Sequence, residues 1–388
     1  IIQSETMLSS KASQKKGRRR TKSKKAEQRP VYAAIDLGTN NCRLLVAEAR
    51  GKRFRVVDSY SQIVRLGEGL GASGKLSDAS IDRTIAALKI IRDKLKNHNV
   101  KRLKCVATQA CRAADNGREF IARVQSETGL SFKVISPKEE ARLAVVGALD
   151  LMNDEKEYAL VVDIGGGSTE LCWVDVKKVR GRGLKSCLDK TPMLAWASFP
   201  IGVVTISEQF PERADESWYP EMLAFARDKL TSFERGLDFS EDFKQNRGHL
   251  IGTSGTVTSL CAVHLDLDKY VRSMVDGSWL AREDAMAARA RLSGLTKEER
   301  ASIGCIGDGR SDLVLAGCAI LEAIWEIWPC DQMRVADRGL REGLLMSLIH
   351  GRPARKRKRK TGAKSEDKKP DNTANAELKQ GMVPEHGG

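Results

Sequence analysis

The sequence predicts an α/β protein made of two related halves that face one another, on three observations. An apolar strand ending in an aspartate, a glycine turn and a second apolar strand occur twice, at Val31–Ala47 and at Tyr158–Val174. Stretches between and after these units carry apolar residues at helical spacing. The 388 residues are enough for roughly two domains with sizeable cores.

Taken in order, Val31–Ile35 is an apolar run that ends at Asp36. Cys42–Ala47 resumes it after Gly38-Thr39-Asn40-Asn41, and Phe54–Val57 is a third β-type segment. Ser77–Asn97 places Ile81, Ile85, Leu88, Ile91 and Leu95 on one helical face, with Ser77 or Asp78 as the cap. Leu103–Ala107 is strand-like. Ser136 and Pro137 suit the N-cap and first position of a helix running through Leu149. Tyr158–Ile164 and Leu171–Val174 then repeat the opening pattern around Gly165-Gly166-Gly167-Ser168-Thr169, with Asp163 where Asp36 stood. The basic stretch Lys177–Thr191 reads as an insertion between strands, a flexible surface loop. Leu250–Gly252 is a strand entering a third turn, Asp312–Trp328 a long interior helix and Arg338–Ile349 a closing helix.

A net charge of +15 suggests a nucleic-acid-binding protein until the charge is located. Residues 1–30 contribute +8 and residues 351–388 contribute +6, leaving +1 for residues 31–350. Both ends lack the apolar residues to bury and read as disordered basic tails. They are either solubilising extensions or sites of nonspecific polyanion or RNA contact, without aromatic stacking platforms. No run approaches the ~20 apolar residues of a membrane-spanning helix. No apolar segment follows the basic N-terminus as a secretory signal requires. A cytoplasmic protein with no membrane partner is expected, with Met7 a candidate start. The nine cysteines form no C-x-x-C pair and the five histidines show no zinc spacing, so buried reduced thiols are expected and zinc is not.

The turns carry the chemistry. A phosphate cradle needs backbone N–H groups aimed at one spot, small residues that let oxygens approach, and hydroxyl donors. Gly165, Gly166, Gly167, Ser168 and Thr169 provide all three; Gly38, Thr39, Asn40 and Asn41 do so with one glycine; Gly252, Thr253, Ser254, Gly255 and Thr256 make a third candidate. No Gly-Lys-Ser/Thr follows, so these are not Walker A loops. Phosphoanhydride oxygens call for a divalent cation, Mg²⁺ or another, held by one or two carboxylates. Asp163 at the strand end and Glu170 past the turn would reach one ion from the two sides of a hairpin; Asp36, in the place equivalent to Asp163, is a candidate of the phosphate-binding turn. Hydrolysis also needs a base. If Glu139 sits at N3 of the helix and closes a capping box, Glu140 is left free to face the site; two carboxylates that merely stabilise the helix N-terminus are the competing reading. Arg112, after a strand, and Arg65, in the loop Arg65–Leu70, are the candidate phosphate-pairing cations.

In this order the segments Ala34–Asn40, Arg65–Leu70, Thr108–Asn116, Ser136–Arg142, Asp163–Glu170, Gly252–Thr256 and Asp337–Gly343 resemble the exopolyphosphatase / guanosine pentaphosphate phosphohydrolase (Ppx/GppA) family. The resemblance covers about residues 31–349. It implies two ribonuclease H-like domains of the actin–sugar kinase–Hsp70 superfamily with an interdomain cleft. Domain I would be residues 31–136 plus about 331–350, and domain II residues 137–330. It further implies that the terminal phosphate of inorganic polyphosphate, or the 5′-γ-phosphate of guanosine pentaphosphate, is hydrolysed. Glu140 matches the family's base, Arg112 its active-site arginine, and Asp163 and Glu170 its metal-associated carboxylates. The chain resembles the short form, without a helical HD-type domain, and homodimers are common in the family. A noncatalytic alarmone- or RNA-binding sensor and an ATP-dependent kinase are the readings from other classes.

Overall fold

In the computed structural model, the described residues are 29–351 apart from 52, 216 and 234–238. The sequence-predicted basic tails lie almost wholly outside them. The described chain belongs to one compact unit organised around two sheets.

The first sheet holds β1 (Val31–Leu37), β2 (Asn41–Arg50), β3 (Arg53–Ile63), β4 (Val100–Ala107) and β5 (Phe132–Val134), in the order β3-β2-β1-β4-β5. β1, β2 and β3 form an antiparallel meander, and β4 and β5 add parallel strands beyond β1. The second sheet repeats this plan. β6 (Tyr158–Ile164), β7 (Thr169–Asp175) and β8 (Met193–Phe199) form the meander, and β9 (Gly248–Thr253) runs parallel beside β6. β11 (Gln332–Ala336) lies parallel to β9, and the short β10 (Trp279–Ala281) is added antiparallel at the edge.

Both sheets are covered on both faces, which is why their central strands read as continuous apolar runs. In β1, Ala33, Ile35 and Leu37 enter one core cluster while Tyr32 and Ala34 enter another. In β6 the same alternation sends Leu160, Val162 and Ile164 one way and Ala159 and Val161 the other. Six helices matter for the site or for the packing around it: α1 (Asp78–Lys96), α2 (Pro137–Ala148), α3 (Val176–Asp189), α4 (Gly255–His264), α5 (Val314–Ile327) and α6 (Leu340–His350). α1 starts at Ser77, whose side chain accepts from the Ser80 amide, and α5 is buried in the core of the second half.

α2 and α6 lie between the halves. Leu143 of α2 packs with Leu344 and Leu348 of α6 under the first sheet, while Ala141 and Val145 turn to the second. The two helices meet backbone to backbone: a Cβ on Gly147 would lie 2.1 Å from the Gly339 carbonyl oxygen, and one on Gly343 would lie 2.2 Å from that of Leu143. Only glycine permits that approach.

Three expectations change. Lys177–Thr191 is mostly helix rather than loop: Asp175 caps α3 by accepting from the Lys178 amide at 2.8 Å, and Val176, Cys187 and Leu188 are buried. Gly181, Gly183 and the run of cations masked those anchors, and the helix is interrupted at Gly183, with φ of +68°. The return to the first half comes later than about residue 331, since β11 belongs to the second sheet and α6 packs on β1. Finally, Ser136 does cap α2 through the Glu139 amide, but the Glu139 carboxylate grips Arg142 at 2.7 and 2.8 Å instead of closing a capping box.

Candidate active site

The two glycine turns are closed by the same bond. Gly38 N–H donates to the Asn41 carbonyl at 2.9 Å, and Gly165 N–H donates to that of Ser168 at 2.8 Å. The amides between them, on Thr39, Asn40, Gly166 and Gly167, donate to no backbone carbonyl among the described residues. The turns press on one another: a Cβ on Gly166 would sit 3.1 Å from Asn40 N and from Thr39 Cβ, and one on Gly167 would sit 2.8 Å from Thr39 Oγ1. That close approach is the reason for the glycine triplet.

The third turn delivers the N-terminus of α4. Ser254 occupies its N-cap position yet makes no side-chain capping bond. A cavity of ≈ 470 Å³ lies where the three turns converge. Thr39 Oγ1, Asn40 Oδ1 and Ser254 Oγ are buried at its wall without a partner. Each such group costs about 1–3 kcal/mol to leave unsatisfied, so the arrangement is built around a polar ligand. Free amides and a helix N-terminus select an anion.

Four sequence-predicted carboxylates gather here. Glu140, at the first turn of α2, lines the cavity. Arg112 Nη1 donates to its Oε2 at 2.7 Å and to the Ile135 carbonyl at 2.8 Å, and Nη2 donates to Gln109 Oε1 at 3.0 Å. Arg112 is absent from the cavity wall. It stands behind Glu140 and fixes that carboxylate, rather than presenting itself to a ligand as the sequence suggested. Burial raises the Glu140 pKa, opposed by the Arg112 charge and its hydrogen bond. Asp163 also lines the cavity; burial, then the nearby Glu140 charge, pushes it up to about 7. Asp36 is raised by burial, with Arg43 and Arg341 pulling it back.

Glu170 is placed differently. It pairs with Asp163 in register across the hairpin, but it is only 2% exposed and lies behind the cavity wall. Ser198 Oγ donates to it at 2.7 Å. Burial and the charges of Glu140 and Asp163 push its pKa well above the usual range. Among the described residues no three His, Cys, Asp or Glu side chains converge as a metal cage. The donor set still fits Mg²⁺, which takes one or two carboxylates and keeps water in its other positions. Asp163 is the carboxylate on the wall, with Glu170 behind it, and both are held above their ordinary pKa by burial first and by neighbouring negative charge second.

Of the remaining candidates, Gly38, Thr39, Asn40, Asn41, Gly165, Gly166, Gly167, Ser168, Thr253, Ser254, Gly255 and Thr256 line the cavity. Thr169 and Gly252 do not: the Thr169 hydroxyl donates to the Ile201 carbonyl at 2.7 Å, and Gly252 is buried in β9 against Val257. Arg65 lines a neighbouring cavity, with its guanidinium committed to Asp312 at 2.8 and 3.1 Å.

Sequence reasoning missed the cations on the cavity wall: Arg43, Arg272, Arg310, Arg338 and Arg341, of which Arg272 is paired with Glu342 and Arg338 with Asp276 and Asp150. Arg310 Nη1 donates to Ser259 Oγ at 3.1 Å. Arg341 is half-buried, and its desolvation lowers its pKa, with Glu342 opposing. A signal existed for Arg43. Counting outward from the Gly38–Asn41 closure pairs Leu37 with Cys42 and Asp36 with Arg43, just as the second hairpin pairs Asp163 with Glu170.

The family model of the Ppx/GppA phosphatase family matches residues 45–351. The chain belongs to this family. Exopolyphosphatase 2 of Mycobacterium tuberculosis is 29% identical over 334 residues, covering 81% of this chain and 98% of that protein. The solved structure of the Ppx/GppA family member of Aquifex aeolicus is 29% identical, with a TM-score of 0.66 over 82% of this chain and 97% of its own. An exopolyphosphatase structure from Cytophaga hutchinsonii, 24% identical, shares the fold with a TM-score of 0.73 over 83% of this chain and 98% of its own. The twice-repeated sheet plan is thus the fold of the Ppx/GppA family. No described helix is long and apolar enough to cross a membrane.

Proposed function

We propose that the chain hydrolyses the terminal phosphoanhydride bond of inorganic polyphosphate, with Glu140 as the base. The observation that carries this reading is the Glu140 carboxylate itself, on the wall of an anion-selective cavity, held by Arg112 and made more basic by burial. The free amides of Thr39, Asn40, Gly166 and Gly167 and the N-terminus of α4 hold the phosphate oxygens. Arg43, Arg310 and Arg341 offset their charge. Glu140 orients a water molecule and takes its proton as the water oxygen bonds to the terminal phosphorus. The bridging oxygen leaves with the shortened chain, and orthophosphate is the other product. Asp163, with Glu170 behind it, would hold a Mg²⁺ ion, whose chemistry when bound would be to offset charge on oxygens that become more negative. The name and near-full coverage of the Mycobacterium tuberculosis relative support polyphosphate as the substrate. Guanosine pentaphosphate shares the same bond type and every residue named.

Phosphate release from polyphosphate and from guanosine pentaphosphate, measured side by side with and without Mg²⁺, tests the reading. Mg²⁺-dependent release that is faster from polyphosphate is expected. Faster release from guanosine pentaphosphate would move the assignment to the alarmone, and release from neither would overturn the hydrolase.

A further inference from the structure

A second cavity, of ≈ 270 Å³, adjoins the first, and Asn40 and Leu313 line both. Arg65 and Asp312 join at its wall in a two-pronged ion pair, Nη1 to Oδ2 at 2.8 Å and Nη2 to Oδ1 at 3.1 Å. Arg65 follows β3 and Asp312 precedes α5, so the pair spans the two halves. Two further contacts tie the halves together beside it. Gly69 N–H donates to Glu208 Oε1 at 2.8 Å. Gly309 lies so close to the end of β3 that a Cβ there would sit 1.9 Å from Ile63 Cδ1.

Each partner is tied to the site. The amides of Val64 and Arg65 donate to the Asn40 carbonyl at 2.9 and 3.0 Å, and that of Gly67 donates to the Thr39 carbonyl at 2.9 Å. The segment carrying Arg65 is therefore bonded directly to the first phosphate turn. It holds Arg65 at a φ of +46°, a left-handed conformation that a non-glycine residue keeps only when its surroundings impose it. Asp312 stands two residues from Arg310, which faces the first cavity. Buried Arg300 roots that segment, donating to the Ser311 carbonyl at 2.9 Å and the Leu295 carbonyl at 3.0 Å.

We propose that the Arg65–Asp312 pair is a latch that sets the spacing between the Thr39–Asn41 turn and Arg310. It thereby tunes the fit of the first cavity to its phosphate-bearing ligand without touching that ligand. The proposal rests on the reading of that cavity as a phosphate site. Both prongs of the guanidinium are already taken, and the second cavity sets Glu68, Glu208, Glu212 and Asp312 against Arg65 and Lys297. Glu68 and Glu212 pair with Arg83 and Arg300, and Lys297 lies 4.0 Å from Asp312, so the cations around the second cavity are already matched by carboxylates. The side chains of the pair are 32% and 21% exposed. Partly solvated ion pairs open at modest cost, as a latch must.

The test uses the full chain with Arg65→Ala, Asp312→Ala and the exchanged pair Arg65→Asp/Asp312→Arg, aspartate being among the residues that tolerate a left-handed backbone. Tripolyphosphate binding is expected to weaken about tenfold in each single variant and to return within about threefold of wild type in the exchange. The KM for phosphate release should follow the same pattern, with kcat changed less than about threefold. Small-angle scattering of the ligand-free proteins should show a larger radius of gyration in both single variants and recovery in the exchange. Tighter binding in Asp312→Ala with weaker binding in Arg65→Ala, unrescued by exchange, would make Arg65 a ligand contact and overturn the latch. Wild-type binding and scattering in both single variants would overturn it too. If even wild type released no phosphate, the hydrolase reading would fall, and scattering would still decide the latch.

Discussion

Asp36 and Asp163 occupy the same place in two copies of one design, and their surroundings are opposite. Each ends the first strand of a meander and precedes a turn closed by the same backbone bond. In the first half the residue opposite is the cation Arg43, and a second cation, Arg341 from α6, also draws the Asp36 pKa down. In the second half the residue opposite is Glu170, and Glu140 adds a third negative charge. One fold used twice sets a cation opposite the aspartate in one half and a second carboxylate opposite it in the other. The difference lies in single positions on a shared frame.

Replacing the two aspartates should separate those roles most widely. Asp163→Asn is expected to lower phosphate release about 10²–10³-fold, the scale for losing a group that stabilises developing charge. Asp36→Asn should lower it only about tenfold, because Arg43 and Arg341 remain. Equal losses in steady-state assays would erase the distinction.

Stability against pH gives the next contrast. Asp163 keeps its proton to about 7 when folded, through burial and then the Glu140 charge, whereas an unfolded Asp ionises near ~3.9. The folded state binds the extra proton between those values. Without divalent cations, stability should therefore fall as pH climbs from about 4 to about 7, by on the order of 3 kcal/mol. Glu140 and Glu170, also raised, add in the same direction. Thermal melts should show a flatter profile for Asp163→Asn, and Mg²⁺ should restore stability near pH 7. A wild type that gains stability across that window would contradict the charge arrangement.

The turns differ sterically as well. Gly166→Ala drives a Cβ against Asn40 and Thr39 and should cost about 1–3 kcal/mol in denaturant unfolding, as overpacking does. Gly38→Ala meets nothing nearer than the Asn41 oxygen at 3.5 Å and should cost under about 1 kcal/mol. The smallest effect is expected from Glu139→Gln, about 0.5 kcal/mol at most, since that carboxylate only holds Arg142 at a partly exposed site.

Much of this was legible in the sequence because it is local. Apolar runs, glycine turns and the Ser136–Pro137 helix start are set within a few residues, and they placed both aspartates and Glu140. Glu140 was reached by an argument only half right, because Glu139 bonds Arg142 instead of completing a capping box. What could not be read depends on distant partners. Arg65 looks like a phosphate ligand until Asp312, 247 residues away, is folded against it. Arg310 and Arg341 look like surface cations because the cavity they face is assembled from both halves. Glu170 was read as facing one ion with Asp163 from the two sides of a hairpin, and the two do pair across it, but its burial behind the wall follows from the packing of β8, whose Ser198 holds it.

The central claim is that Glu140 turns phosphate holding into hydrolysis. Its most direct test is phosphate release from polyphosphate by wild type and Glu140→Gln at saturating substrate and Mg²⁺, with substrate affinity measured on the same samples. The account predicts a rate at least about 10²-fold lower, the usual contribution of a general base, with affinity within about threefold of wild type. A rate equal to wild type would remove Glu140 from the chemistry and contradict the account.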